Sequence, residues 1–369
     1  MDHVRIIPIV ASTADIASID RLFESQPWNG IVSDRMQRPL RDLRISVTDR
    51  CNLRCAYCMP REVFDENYAF LARKELLSFE EIESLSRLFI RRGVQKIRLT
   101  GGEPLLRRGI ERLIEKLARL RTLEGKPVDI ALTTNAVLLA NKAQTLKDAG
   151  LSRITISLDG LHENTFRQSS GSEIPVATVL DGIAAAQRAN FSSIKVNMVV
   201  KRGMNEHEII PMAAHFRHTC IVLRFIEYMD AGSTNGWRMD DVVPARQILE
   251  RIASRYEIQQ IESNYDGEVA ERWRYVDGAG EVGVIASVTQ AFCHSCTRVR
   301  LSTDGRLYTC LFANQASVDL REPLRQGANE QILSDLIADS WMQRDDRYSK
   351  LRHAETTSRN KVEMSFIGG

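Results

Sequence analysis

At 369 residues the chain exceeds what one compact core usually holds, so a domain of barrel size plus a smaller unit is expected. Its hydrophobic share of 43% and charged share of 27% are those of an ordinary globular protein, and a formal net charge of +2 gives no basis for a nucleic-acid or membrane surface. No apolar run approaches membrane-spanning length and Met1 to Ser12 lack a signal-peptide layout, which predicts a cytoplasmic protein.

Residues 1 to about 40 show no sustained periodicity and carry Pro8, Pro27, Gly30 and Pro39. They read as an arm or poorly ordered segment, with residues 1–33 set apart as an N-terminal extension. From Leu43 short apolar runs alternate with stretches of helical spacing, the pattern of consecutive βα units. The first strand is predicted over 44–48. Ser78 and Glu81 make a capping box that opens a helix with Ile82, Leu85, Leu88 and Phe89 on one face and Gly93 as its stop. Further strands are predicted over 96–99, 128–133, 153–158, 194–200 and 221–229, with helices between them. Six such units can build an open doubly wound sheet or an incomplete barrel. Site-like residues end many of these strands rather than one switch point, which favours an α/β fold with a partial (β/α)6 TIM-like barrel over residues 34–230.

After about residue 230 the rhythm is lost. An amphipathic helix from Pro244 to Tyr256 gives way to irregular polar sequence, then to a hairpin signal at Asp304-Gly305 between Val299–Leu301 and Leu307–Thr309. Residues 231–369 read as a smaller C-terminal region. Its Gly368-Gly369 ending, taken alone, is an ordinary frayed terminus.

Cys51, Cys55 and Cys58 crowd one loop straight after the first strand. Thiolates that close repel one another and lose solvation, so they need a bound cation. A closed zinc site wants a fourth protein ligand, and no nearby His or Cys supplies one. A 4Fe-4S cluster normally takes four Cys; held by three, it leaves one iron open to bind and activate a small molecule. Cys293, Cys296 and Cys310 form a second group of three, which the hairpin would bring together. Zinc stays open there, with His294 as an awkward fourth ligand. Cys220 stands apart and reads as a small buried apolar residue.

Lys195 and Asn197 share one face of the fifth strand, and Arg44, Arg98 and Arg224 lie on others. Each alone is more often structural, and Lys195 near a strand start can snorkel to water. Together they suggest a phosphate-bearing substrate. Arg298 and Arg300, two apart beside the second cysteine group, suggest a further anion clamp against the plain alternative of solvated surface charge.

Cys51-x3-Cys55-x2-Cys58 with Tyr57, followed by Gly101-Gly102-Glu103-Pro104, resembles the radical S-adenosylmethionine superfamily. More narrowly, residues 43–60, 98–105, 132–135, 195–197, 224–230, 293–312 and the terminal Gly-Gly resemble the GTP 3',8-cyclase family of molybdenum cofactor biosynthesis. The likeness runs from about residue 33 onward. Ala136 stands where that family commonly has Gly, and residues 1–30 extend beyond its usual start.

The resemblance implies two 4Fe-4S clusters, the first on Cys51, Cys55 and Cys58, whose open iron chelates S-adenosylmethionine, and the second on Cys293, Cys296 and Cys310, facing the purine. It implies cofactor contacts from Tyr57, Gly102, Ser157 and Met229. The GTP ligands would be Arg44, Arg98, Thr133, Lys195, Arg298 and Arg300, with Arg224 a further candidate. Gly368 and Gly369 would belong to a tail that enters the site and is needed for cyclisation, and Arg298 and Arg300 would be catalytic along with Cys51, Cys55 and Cys58. The implied reaction is a lyase-type radical cyclisation: a hydrogen atom leaves ribose C3', the carbon radical bonds guanine C8, and reduction and protonation of the cyclised radical give 3',8-cyclo-7,8-dihydro-GTP. Implied partners are a second copy of the chain in a homodimer, a flavodoxin or ferredoxin as electron donor, and cyclic pyranopterin monophosphate synthase as recipient of the product. A peptide-modifying maturase is the runner-up, disfavoured by the cationic set and by the short C-terminal cysteine array. An electron carrier or zinc-stabilised binding module ranks last.

Overall fold

A computed structural model describes residues 30–265, 267–290, 292–352 and 360–368. Twelve strands form one sheet in the order β12-β11-β10-β1-β2-β3-β4-β5-β6-β9-β8-β7. Its centre is the expected series: β1 Asp42–Ser46, β2 Lys96–Thr100, β3 Asp129–Thr134, β4 Arg153–Ser157, β5 Ser193–Val200 and β6 Ile221–Glu227, each parallel to the next. On β5 the even positions from Ile194 to Val200 are buried and the odd positions half-buried. That alternation is the sheet's period of two, with the apolar face under helices and the polar face turned into the curve.

The helix Phe79–Arg91 shows why the outer layer forms where it does. Ser78 Oγ accepts from Glu81 N at 3.1 Å while Glu81 Oε2 accepts from Ser78 N at 2.6 Å. Behind this cap, Ile82, Leu85, Leu88 and Phe89 are all buried against the sheet. The helix Ala245–Ala253 lies within the predicted span from Pro244 to Tyr256, and the helices Ile110–Ala118 and Val176–Arg188 lie between predicted strands as expected.

The sheet does not stop at six strands. β9, Glu281–Ile285, runs parallel to β6, and β10, Arg298–Leu301, runs parallel to β1, so residues after 230 extend both edges of the curve. Neither strand shows a βα rhythm because antiparallel neighbours flank them. β7 Ile258–Ile261 and β8 Glu271–Tyr275 lead into β9, whereas β11 Arg306–Tyr308 and β12 Val318–Asp319 follow β10. The Asp304-Gly305 turn is the predicted hairpin, with Gly305 at φ 85°, a conformation a side chain would strain.

Two expectations need correction. Residues 30–40 are no loose arm: Val32 and Leu40 are buried, Leu40 N donates to Val32 O at 3.0 Å, and Asp34 closes a turn by accepting from Met36 N and Arg38 N, both at 2.9 Å. A turn this short carries no period to read. Cys220 is exposed, on the loop entering β6 where Thr219 makes the local hydrogen bonds, and is not a buried apolar residue.

Candidate active site

All six clustered cysteines border one cavity inside the curve, Cys51, Cys55 and Cys58 together with Cys293, Cys296 and Cys310. Tyr57, Gly102, Ser157, Met229, Arg44, Arg98, Thr133, Arg224, Arg298 and Arg300 line the same space.

The first cysteine loop is held by three strand ends. Gly102 N and Glu103 N donate to Thr48 O and Arg50 O at 2.8 Å each, and a side chain on Gly102 would collide with Arg50 O. The buried Glu103 carboxylate accepts from Leu105 N at 2.9 Å, Thr134 Oγ1 at 2.8 Å and Asn135 N at 2.7 Å. Burial pushes its carboxyl up to about 7 against the pull of those bonds. Asn135 Nδ2 in turn donates to Asn52 Oδ1 at 2.8 Å. Tyr57 donates its hydroxyl to Asp159 Oδ2 at 2.8 Å, and Asp159 Oδ1 accepts from Val199 N at 2.8 Å, which ties the loop to β4 and β5.

Burial pushes the Cys51 thiol up to about 11 and drives Cys55 and Cys58 upward too, with the neighbouring thiols adding to the penalty. Such a donor set is stable as thiolates only around a strong positive centre. Tetrahedral zinc at its usual Zn–S length would draw its sulfurs to about 3.8 Å apart. Among the described residues no three His, Cys, Asp or Glu converge on a single-ion site. Three thiols bordering one cavity, with no fourth protein ligand beside them, suit the first group to a 4Fe-4S cluster with one iron left open.

The second group is braced from behind. Arg38 donates to Cys293 O at 2.6 Å and Arg344 to Cys296 O at 2.8 Å; both guanidiniums are buried and share Asp34, at 2.5 and 3.1 Å. Burial opposes ionisation of Cys296, but Arg298 and Arg344 outweigh it and bring the thiol to about 6. Cys310 is pushed up to about 12 by burial and by Asp346. His294 is exposed and lines a different hollow, away from the three sulfurs. Asp34, Arg38 and Arg344 brace the second cysteine group and were missed by sequence reasoning: Asp34 and Arg38 stand four apart in one turn, but Arg344 and the cysteines lie hundreds of residues away and no spacing joins them.

Register places the cations side by side. Arg44 lies between Arg98 and Arg300, and Asp42 between Lys96 and Arg298. Arg98 donates to Thr133 Oγ1 at 2.9 Å and Thr155 Oγ1 at 3.1 Å, yet its Nε, the Nε of Arg44 and Oδ1 of Asn197 are buried without a partner. Burial and the neighbouring Arg300 and Arg298 hold Arg44 well below its ordinary range. Lys195 is brought down to about 7 by burial and then by Arg224. It sits in register with Thr155, outside the ring of residues that border the cysteine cavity. Arg224 is already paired with Glu268 at 3.2 Å. Lys96 and Arg153 share this inner face and were also missed, although Lys96 stands two before Arg98 and Arg153 two before Thr155. Arg44 and Arg98 thus border the cavity with guanidinium nitrogens that no protein acceptor satisfies, an arrangement suited to holding an anion.

The C-terminal tail reaches this space. Met364 borders the cavity and Arg300 donates to Gly368 O. Gly369 lies outside the described residues.

Residues 45–216 match the family model of the Radical SAM superfamily, and residues 221–350 match that of Molybdenum Cofactor Synthesis C. The solved structure of Streptococcus suis SuiB superposes with a TM-score of 0.57 at 15% identity, covering 86% of this chain and 69% of that one, a likeness of fold alone. The GTP 3',8-cyclase of Acidothermus cellulolyticus is 49% identical over 363 residues, 92% of this chain and 99% of that protein. The GTP 3',8-cyclase of Xanthomonas axonopodis pv. citri is 50% identical over 338 residues, again 92% of this chain and 99% of the relative. The chain therefore belongs to the GTP 3',8-cyclase family of radical S-adenosylmethionine enzymes.

Proposed function

We propose that this enzyme converts GTP to (8S)-3',8-cyclo-7,8-dihydroguanosine 5'-triphosphate, the first step of molybdenum cofactor biosynthesis, with the two cysteine groups holding two 4Fe-4S clusters at opposite sides of one chamber. The observation that carries the substrate reading is the row of cations bordering the cavity: half-buried Arg44 and Arg98, each with a buried Nε that has no partner, buried Arg300 in register with Arg44, and half-buried Arg298 beside them. When bound, the first cluster and S-adenosylmethionine supply a 5'-deoxyadenosyl radical.

The chain's own task is to present the ribose to it. Cations on β10, β1 and β2 that border the cavity, with Lys195 of β5 reaching in from beside Thr155 on its rim, neutralise the triphosphate, and charge-assisted contacts at about 1.5–3 kcal/mol each fix the nucleotide before the reaction. The apolar outer face and the helices over it keep bulk water from the strand ends. Tyr57, Gly102, Ser157 and Met229 would hold the cofactor, and Cys293, Cys296 and Cys310 would hold the second cluster toward the base. A peptide substrate of the kind a maturase takes would leave the row of arginines without a counter-charge.

Residues 34–230 form the catalytic barrel and 231–369 the region that fits it to the nucleotide. The enzyme works as a homodimer in the reducing cytoplasm, takes electrons from a flavodoxin or ferredoxin, and passes its product to cyclic pyranopterin monophosphate synthase. No described helix is long and apolar enough to cross a membrane.

Anaerobic reconstitution with iron and sulfide tests this reading. About eight irons per chain and GTP consumption with S-adenosylmethionine and reductant are expected; about four irons would remove the second cluster. Cys55→Ala should lose all turnover. Arg298→Ala should retain cofactor cleavage and weaken GTP binding roughly 10- to 150-fold, the equivalent of one charge-assisted contact; unchanged affinity would count against the clamp.

A further inference from the structure

The loop after β6 carries a buried aspartate that the chemistry above does not use. Asp230 is 2% exposed and follows Met229 directly. Its Oδ1 accepts from Arg352 Nε at 3.0 Å, and its Oδ2 accepts from Lys361 Nζ at 2.7 Å and from the Tyr348 hydroxyl. Lys361 Nζ also donates to Asp230 O at 2.8 Å. All three donor side chains come from the last part of the chain, beyond the helix Glu330–Met342.

The tail is stitched down on both sides of this ion pair. Ser233 Oγ exchanges hydrogen bonds with the Lys361 backbone, accepting from N at 2.6 Å and donating to O at 2.9 Å. Glu363 accepts from Ser233 N at 3.0 Å and from Thr234 Oγ1 at 3.1 Å. Val362 N donates to Ala313 O at 3.0 Å, three residues past Cys310, and Phe312 stacks on Tyr348 with ring centroids 4.4 Å apart. Met364 then enters the cavity and Gly368 reaches Arg300.

We infer that Asp230, acting through Lys361, is a positioning residue that latches the C-terminal tail into the active-site chamber and sets how far its end extends toward the substrate cations. The physical reason is the buried charge. A lysine ammonium that is 2% exposed keeps its charge only beside a counter-ion, so the tail has one low-energy seat, the one in which Lys361 meets Asp230. Because Asp230 adjoins Met229 and Ala313 follows Cys310, that seat is built from the cofactor side and the second-cluster side at once. This inference rests on the reading, implied by the family resemblance, that the Gly368-Gly369 tail takes part in cyclisation.

Its test uses the full-length reconstituted enzyme with Lys361→Met, Lys361→Arg, Asp230→Asn and the Asp230→Asn/Lys361→Met pair. Hydrogen–deuterium exchange of the peptide covering 360–368 should quicken at least tenfold in Lys361→Met, while barrel peptides and iron content stay at their starting values. Turnover should fall at least tenfold with the GTP dissociation constant unchanged within about threefold, and Lys361→Arg should restore most of it. The double variant should be no worse than the worse single one, as expected for two groups acting as one latch. Unchanged tail exchange in Lys361→Met, or additive losses in the double variant, would overturn the latch. Quickened exchange with full turnover would instead overturn the coupling and, with it, the reading that the tail serves cyclisation.

Discussion

Lys195 concentrates the electrostatic problem of this site in one residue. Burial, then Arg224, brings its ammonium down to about 7 from the ordinary 10.5. A triphosphate would reverse that by supplying negative charge where solvent has been lost, so the bound-state value lies above the free one. GTP affinity should therefore be full below pH 7 and decline as pH rises from 7 toward 10.5, with a proton taken up on binding in that window. Calorimetry in buffers of different ionisation enthalpy reads the uptake directly, and Lys195→Met should abolish it. The lysine was readable from sequence through its shared face with Asn197, because period-two spacing survives whatever packs around it. Lys96 and Arg153 obey the same spacing but lie near strand starts, where a long cation reads as snorkelling to water. Asp42 at 3.5 Å from Lys96 and Asp129 beside Arg153 show they are held in place instead.

At the scale of elements, the two cysteine loops differ in what makes them legible. The first is positioned locally: Thr48, Arg50, Gly102 and Glu103 are backbone neighbours in adjacent strand ends, and the motif names them. Gly102→Ala should push the loop off Arg50 O, cost about 1–3 kcal/mol of stability as overpacking does, and slow cofactor cleavage more than GTP binding. A melting curve and a cleavage assay would separate the two effects. The second loop is positioned from a distance, by Asp34, Arg38 and Arg344, and nothing in the spacing of residues 293–310 points to them. Asp34→Ala leaves two buried guanidiniums without their shared counter-charge, a loss on the order of 3–5 kcal/mol. Reconstituted protein should then fall from about eight irons to about four while keeping the spectrum of the first cluster. Full iron in this variant would show that the loop holds itself.

For the whole molecule, the sequence pattern revealed the six-strand centre because each βα unit carries its own apolar period. It hid β9, and it showed β10 only as one arm of the Asp304-Gly305 hairpin and not as the parallel neighbour of β1, because pairing between distant segments leaves no periodic trace. Residues 30–230 alone would expose the free edges of β1 and β6, which β10 and β9 cover in the full chain. That fragment should therefore aggregate on expression and run as large species on gel filtration, while the full chain does not. A soluble, monodisperse fragment would mean the barrel closes without its C-terminal partners.

The β10–β1 pairing has a consequence for how the enzyme is made. Asp42 leaves the ribosome long before Arg298, its register partner. Throughout that interval the strand leading into the first cysteine loop has one edge open, and nothing yet exists of the wall that will face those thiols. The first cysteine loop is thus complete before the strand that closes the sheet beside it exists. A nascent chain that acquires iron early does so with its radical-generating side still open to solvent, so protection from oxygen during synthesis must come from outside the fold until the last strands arrive.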